Sequence, residues 1–281
     1  MFTLIAENKC GEQLELTHSE AYVITNIDGI DPPEAVINST RNAGADGSVF
    51  NSAYVDNRVI TITLAINTPA ELNRINLYKY FKSKQKVKLY YKNSTRNVCI
   101  EGYVQNIPIN YFEKKQIAQI IIFCPNPFFN ESIDKVTNFE TVTSLFQFPF
   151  EIETPIPFSS IATNTETNVI NSGDVETGMI ITLRASGAVV NPAIYDVDTG
   201  EYFKINKAMA AGDVITINTK DKEKSITLLS AGVLSNIIGN IEYGSTWLKL
   251  RPGDNIMLIT ATTLPENLIS SVSVINQYEG V

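Results

Sequence analysis

The chain offers few groups with which to do chemistry. It has one histidine, His18, in the polar stretch ELTHSEAY (15–22). A Ser-His-Asp or Cys-His arrangement therefore has only His18 to draw on, and a multi-histidine metal centre has nothing to build from. The three cysteines, Cys10, Cys99 and Cys124, lie far apart and form no C-x-x-C pair. An odd number at such spacing predicts free thiols and a reduced, cytoplasmic origin, not a disulfide framework. Cys124 lies within IIIFCPNPFF (120–129), where it ends an apolar strand, with no cationic residue beside it. Reactive thiols need an electropositive, accessible setting, so Cys124 reads as a buried thiol in a strand that Pro125 and Pro127 then terminate. DVDTG (196–200) offers Asp196 and Asp198, but its glycine comes one position early for a calcium loop and no glutamate closes it, so a hairpin turn is expected. No P-loop, G-x-G-x-x-G or G-x-S-x-G is present, and no spacing nominates a glycosidase carboxylate pair. The sequence thus predicts no catalytic residue, no cofactor-binding residue and no metal ligand.

Charge narrows the partners. The net charge is −8. Residues 1–130 hold 13 Lys+Arg against 12 Asp+Glu, whereas residues 131–281 hold 9 against 18. An acidic protein neutralises phosphates poorly, which argues against nonspecific nucleic-acid binding. Lys79, Lys82, Lys84, Lys86, Lys88 and Lys92 form the one basic segment, without an interleaved stacking motif. A solvated face or a subunit contact fits it better than DNA binding. MFTLIAENKCGEQ (1–13) has neither a basic n-region nor an apolar core, and no run reaches the length of a membrane span, so neither a signal peptide nor a membrane partner is expected.

The elements that would position these residues are mostly strands. With 44% hydrophobic and 19% charged residues, 281 positions suffice for two domains. VITITLAI (59–66) alternates strictly, KVKLYY (86–91) does likewise, and VCIEGYV (98–104) and QIAQIIIFC (116–124) follow. The last is apolar on both faces, which predicts a central, covered strand. One helix is expected after Thr68 as cap and Pro69 at its first position, with Leu72, Ile75, Tyr78 and Phe81 near one face. The segment 31–50, rich in Pro, Gly, Asn and Asp, reads as a long functional loop.

Beyond it, FQFPFEIETPIPFSS (146–160) suits an extended linker or edge strand. Short strands then recur at 179–185, 193–197, 213–219, 225–230, 246–250, 255–261 and 271–278, with turn signals between them. That spacing predicts an antiparallel β-sandwich. The expected organisation is mainly β: an N-terminal β-rich domain with one helix (1–130), a linker (131–160) and a C-terminal sandwich (161–281).

The order of these segments resembles a known family. NRVITITLAI, a helix opened by Pro69, YFKSKQKVKLYY, IEGYVQNI and the closing Cys124-Pro125-Asn126-Pro127-Phe128 are similar to the N-terminal domain of the distal tail proteins of long-tailed bacteriophages. NSGDVETGMIITLRASG (171–187), NPAIYDVDTGEYFKI (191–205), AAGDVITINT (210–219), LRPGDNIM (250–257) and YEGV (278–281) resemble that family's galectin-like C-terminal domain. The resemblance implies a virion structural protein, not an enzyme. It implies a homohexameric ring at the tail's distal end, made by the N-terminal domains around a channel through which DNA only passes. The implied partners are the tail tube, a tail-associated tip protein and receptor-binding or other baseplate proteins. Residues 31–50 and 79–92 are expected at ring or tube contacts. The alternatives are a cell-wall carbohydrate-binding module, for which Trp247 is the one tryptophan available, and a wall hydrolase. A core role for Trp247, in a strand at 246–250, is the expectation.

Overall fold

The computed structural model describes residues 2–44, 46–113, 115–139, 141–144, 159–162 and 166–281. They fall into two units, 1–132 with 277–281, and 133–276.

Unit 1 is built on one antiparallel sheet. Its strands are β1 (Thr3–Asn8), β2 (Gln13–Glu15), β3 (Tyr22–Asp28), β6 (Arg58–Ile66), β7 (Lys86–Lys92), β8 (Asn97–Asn106), β9 (Gln116–Cys124) and β10 (Phe129–Glu131). Between β3 and β6 the chain forms a separate pair, β4 (Ala35–Thr40) and β5 (Val49–Val55). The main path runs β2-β1-β7-β8-β9-β6-β3. Alternation decides which face is inside: Ile60, Ile62, Leu64 and Ile66 of β6 are buried, opposite Ala118, Ile120 and Ile122 of the adjoining strand. Strand β9 is central, but its second face is only partly covered, and Phe123 remains exposed there.

The helix α1 spans Ala70–Tyr80. Pro69 is its N-cap, and no side chain caps it, so Thr68 does not play the role expected of it. Its buried face is Leu77, continued by Phe81 just beyond the helix, an i, i+4 pair. Leu72 and Ile75, expected on that face, are exposed. The i, i+3 spacing of 72, 75 and 78 follows a stripe roughly a third of a turn away from the core.

Residues 277–281 also belong to unit 1, not to the sandwich as the sequence suggested. Gln277–Tyr278 pairs antiparallel with β10, and Val281 packs on the unit's core. Unit 2 is thus an insertion between two neighbouring strands of unit 1.

Unit 2 has two larger sheets around one core. Its strands are β11 (Lys135–Asn138), β12 (Thr141–Ser144), β13 (Ser159–Ala162), β14 (Thr167–Asn168), β15 (Met179–Ala185), β16 (Val189–Asp196), β17 (Tyr202–Lys204), β18 (Ala208–Met209), β19 (Val214–Asn218), β20 (Ser225–Ser230), β21 (Val233–Asn236), β22 (Ile256–Thr263) and β23 (Leu268–Val274). One sheet runs β11-β23-β15-β19-β20-β21 and the other β14-β22-β16-β17, with β18 beside β16. Inward residues of both sheets, among them Ile181, Leu183, Ile194, Phe203, Ile217, Met257 and Val272, make the core. TWLKL (246–250) is no strand; only Leu250 bridges, to Thr177, while Leu248 and Leu250 fill the core. Residues 140 and 145–158 of the stretch expected as linker lie outside the described residues, but Lys135–Asn138 within that expected linker pairs with β23.

Candidate functional site: an exposed hairpin and the arginine at its root

The segment read as a loop is a β-hairpin. Pairing runs from Ala35↔Val55 to Thr40↔Val49, with an irregularity after Asn38. Every residue of β4 is exposed, as is all of β5 except Val55. The exposed residues include Ile37 and Phe50 (64% each), Val49 (55%), Tyr54 (53%) and Val36 (37%). Val36 faces Tyr54 across the ladder, and Ile37 faces Ala53. Successive residues point to opposite faces, so both faces of the hairpin carry apolar groups. An isolated two-stranded hairpin is only marginally stable in water.

A second exposed apolar feature crosses the main sheet. Val59, Phe123 and Tyr103 stand opposite one another on β6, β9 and β8. They are 43%, 37% and 46% exposed. Lys86 continues the row on β7 and pairs with Glu101 at 2.7 Å.

At the hairpin's root the sequence places Arg58, and the fold buries it to 4% exposure. Its guanidinium donates to four backbone carbonyls. Nε reaches Pro127 O at 2.6 Å, Nη1 reaches Gly29 O and Asp31 O at 2.7 Å each, and Nη2 reaches Glu279 O. The Phe129 ring lies 4.8 Å below it. Burial lowers its pKa, countered in part by the neighbouring Cys124, Asp31 and Glu279. The planar fork of donors is what lets one side chain serve four carbonyls. Gly29 makes the geometry possible: its φ is +84°, and a Cβ there would stand 2.1 Å from Val59 O.

The residues singled out by sequence are not brought together. His18 is exposed, in a bend after β2. Asp196 is buried and accepts from the backbone N–H groups of Asp198 and Thr199, at 3.0 and 3.1 Å, closing the turn that Gly200 completes. Arg251 lies 3.3 Å from Asp198 and 3.9 Å from Asp196, so one cation faces both carboxylates of the turn. Trp247 packs on the unit 2 core with Phe203, ring centroids 5.0 Å apart, and the Lys224 ammonium lies 5.5 Å from its ring. Cys124 is fully buried and burial pushes its thiol up to about 12; Cys99 is buried and raised in the same way. Cys10 is exposed. Brief treatment of native protein with a maleimide should therefore label Cys10 alone, with Cys99 and Cys124 reacting only after denaturation, read by peptide mass spectrometry. Fast labelling of Cys124 would contradict the burial described.

Sequence reasoning missed both the hairpin and Arg58. A charged residue opening an otherwise apolar strand, just after an Asp-Asn pair, was the available signal for Arg58.

Comparisons with known proteins agree with this architecture. Residues 9–123 match the phage tail protein RIFT-related domain. Residues 172–267 match the siphovirus-type tail component, C-terminal domain. Among solved structures, the Dit (gp 19.1) protein of phage SPP1, described as a paradigm of hub adsorption apparatus in phages infecting Gram-positive bacteria, superposes with a TM-score of 0.70 at 14% identity over 99% of both chains. A chain of the phage P2 baseplate in its activated conformation with Ca superposes at 0.53, with 10% identity, over 100% of both chains. The same baseplate with Sr gives the same values. Curated proteins yield no significant match. With both units matched in order, the chain belongs to the siphovirus-type distal tail component family.

Proposed function

We propose that this protein forms a homohexameric ring at the distal end of a phage tail, joining the tail tube to the tip and receptor-binding apparatus. Unit 1 makes the ring and unit 2, read as galectin-like, carries other baseplate components. DNA passes through the central channel without being held, which suits the near-neutral balance of residues 1–130.

The observation that carries this reading is the hairpin β4–β5, apolar on both faces and exposed along its length. A closed ring of identical subunits needs two different patches that fit one another, because its contacts are head-to-tail. Unit 1 presents two such patches, the hairpin and the Val59–Phe123–Tyr103 row. The hairpin of one copy lies on the row of the next. The role is structural, in line with the family, and sugar recognition gains no support from Trp247, whose ring is spent on Phe203 and Lys224.

Light scattering on the purified chain should give a mass near six times the 31.1 kDa of one copy, and negative-stain images should show six-fold rings. A protein that stays monomeric at high concentration and does not bind tail-tube rings would remove the support for this reading.

A further inference from the structure

We infer that residues 277–281 act as a clasp that fixes the root of the β4–β5 hairpin. Three independent contacts join them. Arg58, three residues after the end of the hairpin at Val55, donates to Glu279 O as well as to Gly29 O and Asp31 O, which precede it. Val281 N–H donates to Ile30 O at 3.2 Å. The three successive carbonyls of residues 29–31 are therefore all held, two by Arg58 and one by the returning chain. Gly280 lies directly on the start of the hairpin segment: a Cβ there would stand 2.9 Å from Pro32 Cδ and 3.0 Å from its nitrogen.

The returning segment is itself anchored. Tyr278 and Gln277 pair with Phe129 and Asn130. Arg96 lies 4.4 Å from the Tyr278 ring and donates to Gly280 O. Gln277 Nε2 donates to Asn130 Oδ1 at 2.9 Å. A hairpin that touches little else takes its direction from its two ends, and both ends meet in this cluster. The clasp thus sets the direction in which the hairpin leaves unit 1. Because the clasp comes after unit 2 in the chain, the hairpin is fixed only once unit 2 has been made. Its consequence for assembly rests on the ring reading above; the clasp itself does not.

Hydrogen exchange on the full chain tests it, with two variants. Gly280→Val sets a side chain against Pro32, and Val281→Pro removes the N–H that Ile30 O accepts. Peptides covering 27–34 and 55–59 should exchange about tenfold faster in both variants, while the 116–124 strand keeps its wild-type protection. Unchanged exchange at 27–34 and 55–59 in both variants would overturn the clasp. So would equal loosening of 116–124, which would make the segment a general staple of unit 1. A failure of ring formation in hairpin-tip variants bears on the ring reading only, since the exchange of the root is read without assembly.

Discussion

Replacing Ile37 and Phe50 together with aspartate should leave the chain folded and monomeric. Each side chain is 64% exposed in the single chain, so little packing is lost within one copy. Exposed substitutions of this kind change stability by about 0.5 kcal/mol or less. In an interface the outcome differs. A central aromatic or aliphatic anchor commonly contributes about 2–4 kcal/mol, and a buried unpaired carboxylate adds a desolvation cost. Two such losses weaken each ring contact by roughly three orders of magnitude or more. Mass by light scattering should fall to one chain at concentrations where wild type is assembled. Asn38→Asp, which brings a charge to the same hairpin without removing an apolar group, is the control. Its side chain already bonds Ser52 at 3.1 Å and is exposed, so it should weaken assembly far less. Equal loss in the control would assign the effect to charge and not to the apolar faces. Retention of the assembled mass in the double variant would exclude the hairpin from the contact.

The hairpin shows where sequence reading stops. Strand β6 was legible because Ile60, Ile62, Leu64 and Ile66 recur at every second position with Thr61 and Thr63 between them, and one face must then be buried. The end of β9 was legible because Pro125 and Pro127 cannot continue a ladder. Residues 35–55 do not alternate: apolar neighbours such as Val36-Ile37 and Val49-Phe50 stand beside Asn38, Ser39, Asn51 and Ser52, and neither face is covered among the described residues. A pattern with no buried side does not register as a strand. The helix shows a different failure. The expected stripe was Leu72, Ile75, Tyr78 and Phe81, yet of these only Phe81 is buried, together with Leu77, which the stripe omits. Periodicity finds apolar stripes and cannot say which of two faces a partner outside the chain. The pairing of Gln277 with Asn130, 147 positions apart, carries no local signal at all. Arg58 gave only the faint signal of a charge opening a strand, for a related reason: its acceptors are backbone carbonyls, which have no residue identity to read.

Arg58→Met should destabilise unit 1 by about 4 kcal/mol. Replacing a buried ion pair with apolar residues is often harmless, because both charges leave together. Here only the donor leaves. The carbonyls of Gly29, Asp31, Pro127 and Glu279 stay behind, each a strong acceptor that has lost a donor which is itself only 4% exposed. An orphaned buried acceptor costs roughly 1–3 kcal/mol, and those nearest the surface recover water, so the sum stays below the fourfold maximum. Arg58→Lys should lose about half as much, since an ammonium has three donors and no planar fork to span four acceptors. The one tryptophan, Trp247, lies in unit 2, so two probes separate the units. In a urea titration the tryptophan fluorescence transition of Arg58→Met should stay at the wild-type midpoint. The far-UV circular dichroism should develop an earlier phase that belongs to unit 1. Coincident, unshifted transitions by both probes would mean that the four carbonyls find other donors, and that Arg58 is not the node around which the hairpin root, the Pro125–Pro127 turn and the returning chain are held.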